Sequence, residues 1–117
     1  MGQKSNSRVY RIATAAAWRR AQAAGVYTGG ADDVRDGFMH LSAGPQVAET
    51  LRRHYRGVND LLLLTVDADA IPLVWEPSRG GALFPHLYGD LPLSAVIEVT
   101  PLARGADGEA APPDLPA

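Results

Sequence analysis

The sequence predicts a single compact α+β domain with a mixed or antiparallel sheet and two helices. Its first half alternates strand and helix patterns, whereas its second half holds strand patterns alone, and this order favours such a sheet over a doubly wound parallel one. An apolar run at residues 61–66 marks a strand that is buried on both faces. With 117 residues the chain has the size of one domain, which we expect at residues 8–103, between flexible tails at 1–7 and 104–117.

The first strand and the first helix follow from local signals. Residues 9–12 are apolar around Arg11 and suit a strand. Thr14 has the hydroxyl that a helix N-cap needs, and Gly25 can take the left-handed conformation that ends a helix, so a helix is predicted at residues 15–24. Trp18 lies on the apolar face of this helix and is expected in the core.

A loop is predicted at residues 26–37, because this segment holds two glycines and an acidic pair but too few apolar residues for a core element. It leads into a short buried strand at residues 38–41. A second helix is predicted at residues 45–55, since proline is tolerated in the first turn and Leu51 falls on the apolar face.

Further strands are predicted at residues 61–66, 73–75 and 93–99, which are apolar runs bounded by turn residues. Leu62 and Leu64 are expected in the core. The segment at residues 83–89 is equally dense in large side chains, but it is not placed in the predicted sheet.

The composition excludes several classes of function. The chain has no cysteine, so disulfides, thiolate metal ligands and cysteine nucleophiles are ruled out. A net charge of −2 gives no electrostatic reason for nucleic-acid or membrane binding, and no apolar run approaches the roughly 18 residues that span a bilayer. We expect a cytoplasmic, monomeric protein that binds neither nucleic acid nor membranes.

Two apolar segments each carry a histidine followed two residues later by a hydroxyl side chain, namely His40 with Ser42 and His86 with Tyr88. Residues two apart in a strand share a face of the sheet. Because a buried imidazole must find a hydrogen-bond partner, we predict that these four side chains and Glu76 converge on one cleft. The alternative is a structural pair of histidines that satisfy each other or Glu76.

The candidate site residues are assigned two kinds of role. His40, Glu76 and His86 are the catalytic candidates, and no metal ligand is assigned. Asp36 is either the first residue of an Asp-Gly turn or a side chain that the preceding loop delivers to the site. The substrate-binding candidates are Ser42, Tyr88, Tyr27 and Asp36.

The densest motifs resemble an uncharacterised family of small bacterial proteins, domain of unknown function 952. They are VYRI, the Trp and Gly-x-Tyr of the next segment, DGFMHLS, DLLLLTVD, WE and FPHLYGDL. The resemblance covers about residues 8–102. It implies a family fold but no established activity.

A more distant similarity is to the RNA 2′-phosphotransferases of the ADP-ribosyltransferase superfamily. The HLS at residues 40–42 and the VDA at residues 66–68 match motifs of those enzymes, whereas YRIA at residues 10–13 stands where they have YHGT. The similarity implies an ADP-ribosyltransferase-like split antiparallel sheet that cradles NAD, here a possible substrate. Arg11 in place of the superfamily histidine leaves open whether catalysis is retained.

Three classes of function follow. The first is a transferase or hydrolase acting on NAD or a related nucleotide, with His40 and His86 orienting ribose or phosphate oxygens and Glu76 stabilising positive charge at the ribose carbon. The second is a metal-dependent enzyme in which the same three residues form a two-His, one-carboxylate set. The third is a module that binds a small nucleotide-like ligand without catalysis.

Overall fold

Three antiparallel sheets carry the fold. The computed structural model describes residues 7–78, 80–103, 110–111 and 115. Its helices and strands are β1 (Arg8–Thr14), α1 (Ala15–Ala24), β2 (Val26–Tyr27), α2 (Ala31–Asp36), β3 (Met39–His40), α3 (Val47–His54), β4 (Leu61–Asp67), β5 (Leu73–Ser78), β6 (Ala82–Leu87), β7 (Leu91–Pro92) and β8 (Val96–Pro101). The sheet orders are β1-β4-β8, β3-β6-β5 and β2-β7, and every one of these strand pairs is antiparallel. The predicted α+β class with antiparallel pairing is confirmed. The single sheet and two helices of the prediction are not, because the described strands form three sheets and the described residues hold three α-helices.

Strand β4 is the centre of the first sheet and is apolar on both faces, as its sequence predicts. One face holds Leu64 and Val66 in a cluster with Val9 and Ala13 of β1, and the other holds Leu61 and Leu63 in a second cluster under α3. The expected core residues divide accordingly. Leu64 and Leu51 are buried, whereas Leu62 and Trp18 are only partly buried and pack at the margin of the first cluster.

Helix α1 begins and ends where its capping residues predict. The Thr14 hydroxyl accepts a hydrogen bond from the Ala17 amide at 3.1 Å, which satisfies one of the unpaired donors of the first turn. Gly25 follows the last helical residue with φ of 85°, a conformation that costs glycine little.

The segment at residues 26–37, predicted as a loop, instead contains β2 and the short helix α2. The Asp33 carboxylate reaches back to the amide of Gly30, the residue before the helix, at 2.6 Å, as the third helical residue of a capping box does. Gly37 ends the helix with φ of 84°. The prediction was wrong because α2 has no apolar face: its Val34 is 78% exposed.

The second predicted helix starts two residues late. Residues Gly44–Gln46 form a 3-10 turn that contains the proline, and the α-helix itself is α3. The Gln46 side chain accepts from the Ala43 amide at 2.9 Å and donates to the Leu83 carbonyl at 2.7 Å. These bonds tie the start of α3 to strand β6.

Strand β6 is missing from the predicted sheet, although it is the central strand of β3-β6-β5. Its Pro85 lacks an amide donor, and its carbonyl accepts from Leu41 just beyond the end of β3. In an antiparallel pair, the amide and the carbonyl of one residue point to the same neighbouring strand. The amide hydrogen that Pro85 lacks would therefore point to β3, at the position where the pairing of β3 with β6 ends. The closing strand also differs, because Leu93–Ala95 form a 3-10 turn before β8.

The structure tests the predicted tails only in part, because it describes few of their residues. The Ser7 carbonyl accepts from Ala68 at 3.1 Å, and Ala110 and Leu115 pack against the cluster under α3. The Ala111 amide donates to the Ala103 carbonyl at 3.1 Å. The remaining tail residues lie outside the described part of the chain, so flexible tails stay a prediction. Within the described residues, no helix is long and apolar enough to cross a membrane.

Candidate functional site

A cleft of about 490 Å³ lies between the two three-stranded sheets. The sheets are joined beside it by an isolated bridge in which Tyr10 and Ser42 exchange backbone hydrogen bonds, both of 2.8 Å. Strand β1 forms one wall, α2 a second, and α3 a third, while β3 and β6 form the floor. The cleft is therefore built where one sheet ends and the next begins, a common position for ligand sites.

Strand pairing brings the two histidines together, as the sequence predicts. His40 and His86 are direct partners in the β3–β6 ladder, so their side chains lie on the same face. Their ring centroids are 5.7 Å apart in an edge-on arrangement. Both residues line the cleft.

Arg11 and Asp33 form a buried ion pair at the junction of the sheets. Arg11 lies on the apolar face of β1 between Val9 and Ala13, and it is only 7% exposed. Its guanidinium donates to both carboxylate oxygens of Asp33, at 3.1 and 2.8 Å, and to the Tyr27 hydroxyl at 3.2 Å. Such a bidentate contact suits the planar guanidinium.

The Arg11–Asp33 ion pair also takes the place of a neighbouring strand on the side of β3 that faces away from β6. The backbone of His40 faces away from β6, and its amide donates to Asp33 at 2.9 Å while its carbonyl accepts from Arg11 at 2.9 Å. Buried backbone groups without partners are costly. The two side chains therefore supply the hydrogen bonds that a neighbouring strand would otherwise give.

The His40 ring is held between two carboxylates. Its Nδ1 lies 2.6 Å from Asp33 Oδ1, and its Nε2 lies 2.9 Å from Asp36 Oδ2. A carboxylate accepts hydrogen bonds but does not donate them, so both ring nitrogens must carry protons. The hydrogen bond to Asp33 raises the pKa of His40, and Asp36 adds to this effect. His40 is therefore an imidazolium ion in this arrangement.

The surroundings also stabilise the charged forms of Arg11 and Asp33. Burial alone would raise the pKa of Asp33, but the hydrogen bond from His40 and the charge of Arg11 outweigh it, and the pKa is held well below its ordinary value. Burial would lower the pKa of Arg11, but Tyr27, Tyr55 and Asp33 keep it above its usual range. Each group therefore favours the ionised form of the other.

The protonation of His40 should make stability depend on pH in a defined direction. Because its pKa is raised above the ordinary 6.5, its contribution to stability is fully present below pH 6.5 and is lost as pH rises through the folded-state pKa. We expect the difference in unfolding free energy between the natural protein and His40→Gln to shrink as pH rises above about 6.5 in urea titrations. A difference that stayed constant would mean that the imidazolium is not what Asp33 and Asp36 stabilise.

Glu76, His86 and Tyr88 form a second chain of hydrogen bonds. His86 Nδ1 lies 2.6 Å from Glu76 Oε1, and the Tyr88 hydroxyl donates to the same oxygen at 2.8 Å. These two bonds lower the pKa of Glu76, so the carboxylate is ionised and His86 Nδ1 is the donor. The Phe38 ring stacks on His86 with centroids 4.1 Å apart, which fixes the plane of the imidazole.

The second nitrogen of His86 is available to a ligand. It makes no hydrogen bond within the described part of the chain, and no buried side-chain nitrogen or oxygen described there lacks a partner. His86 is only 4% exposed, but it is one of the residues that line the cleft, so Nε2 is the ring nitrogen left for a ligand. An imidazole oriented through one nitrogen and open at the other has the geometry of a general acid or base.

The structure places four of the seven predicted site residues in the lining of the cleft. His40, His86, Ser42 and Asp36 line it. Ser42 Oγ also lies 3.2 Å from Thr50 Oγ1 of α3. The remaining three do not line it: Glu76 and Tyr88 lie behind His86, and Tyr27 is buried behind Arg11.

Sequence reasoning missed Arg11 and Asp33 as site residues. A signal for Arg11 was present, since an arginine on the buried face of an apolar strand requires a partner. The acidic pair Asp32 and Asp33 offered two candidates, but nothing local distinguished the buried one from the exposed one. Among the described residues, no group of three or more His, Cys, Asp or Glu side chains is arranged to hold a metal ion, so the geometry does not support the two-His, one-carboxylate alternative.

Solved structures of one bacterial protein are similar to the chain over most of its length. The X-ray crystal structure of protein CC0527 from Caulobacter crescentus is 45% identical with a TM-score of 0.86, and the match covers 90% of this chain and 94% of that one. A crystal structure of its double mutant has a TM-score of 0.85 at 45% identity over the same shares. The solution NMR structure of CC0527 has a TM-score of 0.79 at 46% identity, over 87% of this chain and 90% of that one.

The family comparison agrees with these structures. No curated protein matches the chain. The family model described as a protein of unknown function, DUF952, matches residues 12–99, which is more than half of the sequence. The resemblance drawn from the motifs is confirmed, and the chain belongs to the DUF952 family of proteins of unknown function.

Proposed function

We propose that the cleft binds a small nucleotide-like ligand, with NAD or a relative as the substrate, and that the chain is a transferase or hydrolase in which His86 moves a proton. The observation that carries the proposal is the Glu76–His86 pair. It orients the imidazole of a cleft-lining residue through Nδ1 and leaves Nε2 without a partner among the described residues, beside a cleft of about 490 Å³. A volume in the range of about 300–1,000 Å³ is usual for small-molecule sites.

The distant similarity to ADP-ribosyltransferases supports the choice of NAD. The HLS segment at residues 40–42 lies at the junction of the two sheets, and both its histidine and its serine line the cleft. Arg11 stands where that superfamily has a histidine, but its donors are directed to Asp33, Tyr27 and the His40 carbonyl. We therefore assign Arg11 to holding the cleft wall and His86 to the chemistry.

The role first considered for Glu76 changes in this proposal. Its carboxylate contacts His86 and Tyr88 rather than the cleft, so it acts through His86 instead of stabilising charge at a ribose carbon. Ionised Glu76 stabilises the imidazolium that forms when His86 accepts a proton. Tyr88, which is exposed, holds Glu76 in place.

A second candidate, binding without catalysis, has its own supporting observation. The cationic side chains Arg11, Arg35 and His40 all line the cleft, and each is already paired with a carboxylate of α2. A site whose charges are balanced internally can recognise a ligand by shape and hydrogen bonding alone.

Ligand titrations followed by NMR test the proposal directly. We expect NAD, ADP-ribose or AMP to shift the backbone signals of β1 and α2, which are walls of the cleft, and of β6 on its floor, because the ligand lies between them. Adenine alone should shift fewer signals, since it lacks the ribose and phosphate groups. If all four compounds leave these signals unchanged at millimolar concentration, the nucleotide proposal fails. Binding without release of nicotinamide from NAD would favour the non-catalytic module.

A further inference from the structure

The Asp36 carboxylate bridges two cationic groups on the wall of the cleft. One oxygen lies 2.9 Å from His40 Nε2, and the other accepts from Arg35 Nε at 3.0 Å. All three residues line the cleft. An imidazole N–H and a guanidinium that converge on one carboxylate form the kind of donor set that binds oxyanions such as phosphate.

The two carboxylates that contact His40 differ in how firmly they are held. Asp33 is 5% exposed and accepts five hydrogen bonds, from Arg11, Gly30 and His40. The Asp36 side chain is 31% exposed, and its other partner, Arg35, is a surface residue. Exposed ion pairs contribute little to stability. Exchanging Asp36 for another anion therefore costs the fold little, whereas exchanging Asp33 would leave buried groups without partners.

The position of Asp36 in the chain also permits its release. It is the last residue of α2 and is followed by Gly37. Helix α2 buries no apolar side chain, since its Val34 is exposed. The helix would stay attached through Asp33 when the Asp36 side chain turns away from His40.

We propose that Asp36 occupies an oxyanion subsite formed by His40 Nε2–H and the Arg35 guanidinium, and that a phosphate group of the ligand displaces it. This inference rests on the proposed binding of a nucleotide-like ligand and adds where its phosphate lies. The Asp36 carboxylate thus competes with the ligand for the same two donors, His40 Nε2–H and the Arg35 guanidinium. A ligand without an anionic group leaves Asp36 in place, whereas a phosphate group accepts hydrogen bonds from both donors instead. The subsite thereby selects phosphate-bearing ligands.

The charge of this subsite depends on the protonation state of His40, and therefore on the groups that contact His40. Asp33 contacts its Nδ1, Asp36 contacts its Nε2, and Arg11 of β1 donates to its carbonyl. His86 of β6 meets the ring edge-on. The two carboxylates raise the pKa of His40. Anion binding should weaken as pH rises through this pKa, because Nε2 then loses its proton.

The test uses inorganic phosphate as the probe and NMR titration of the intact protein as the readout. We expect Asp36→Ala to bind phosphate at least about fivefold more tightly than the natural protein, because the variant removes both the competitor and its like charge. Adding His40→Gln to that variant should abolish the gain. Asp90→Asn is the control for net charge, since Asp90 is exposed and lies outside the cleft lining. A pH series with sulfate, whose charge is constant, isolates the titration of His40.

Each outcome decides the inference. Equal phosphate affinity in Asp36→Ala and the natural protein would overturn it, as would an equal gain in Asp90→Asn or a gain that survives His40→Gln. The result is separable from the nucleotide proposal. If nucleotides bind and the phosphate gain is absent, only the subsite fails; if the phosphate gain appears and nucleotides do not bind, only the nucleotide proposal fails.

Discussion

Replacing Asp33 by alanine should lower the free energy of unfolding by about 3–5 kcal/mol, the usual cost of removing one partner of a buried ion pair. The variant leaves the Arg11 guanidinium, which is nearly inaccessible, without a counter-charge. It also removes the acceptor for the amides of Gly30 and His40. These losses fall on groups that water cannot easily reach, so solvent does not replace the missing bonds.

Urea titrations of three variants test this expectation. Asp32→Ala is the matched control, because Asp32 is the preceding residue of the same helix but is 69% exposed and pairs with Arg35 at the surface. Its effect should stay within about 0.5 kcal/mol. The double variant Arg11→Met with Asp33→Leu removes both buried charges and should recover part of the loss. A cost below about 1 kcal/mol for Asp33→Ala would mean that the ion pair is not what joins α2 to the sheets.

Replacing His86 by glutamine should lower the turnover of the nucleotide substrate by about 10²–10⁴-fold, the usual contribution of a general acid or base. Glutamine is uncharged and cannot transfer the proton, although it fits the same space. Ligand affinity should change far less, because the other walls of the cleft remain. The measurement is the rate of nicotinamide release from NAD, with the dissociation constant determined separately.

Two further variants separate chemistry from structure. Glu76→Gln keeps a hydrogen-bond acceptor for His86 but removes the negative charge, so it should lower kcat by less than His86→Gln and leave KM nearly unchanged. Arg53→Gln is the surface control, since Arg53 pairs with Glu49 on α3 and does not line the cleft. Turnover by His86→Gln at the natural rate would remove His86 from the chemistry.

Much of the fold could be predicted because its signals are local. Helix α1 lies between Thr14 and Gly25, which cap it through contacts within a few residues. Strand β4 was evident from a run of apolar residues that suits a strand covered on both faces. Strand β6 was missed, because the tolerance of Pro85 depends on where the neighbouring strand ends, and that is a property of the sheet.

Helix α2 and the ion pair below it could not be predicted for a related reason. The helix contains one large apolar residue, Val34, which faces solvent, so no periodic pattern marks it. Its stabilising contacts come from Arg11, 22 positions earlier, and from His40 in the next strand. Propensity and spacing carry no information about partners at that distance.

The sequence by itself determined the α+β class and which residues share a face of a strand, because the alternation of side chains along a strand is set by the backbone alone. The meeting of His40 with His86 depends on the pairing of β3 with β6, which is a property of the sheet. The protonation states of the site residues and the elements that enclose the cleft were evident only from the tertiary structure. His40 is an imidazolium because two carboxylates from α2 reach its ring, and the Nδ1 nitrogen of His86 is held by Glu76 of the neighbouring strand. A side chain's protonation state depends on which groups lie within a few ångströms in space, and folding alone decides that.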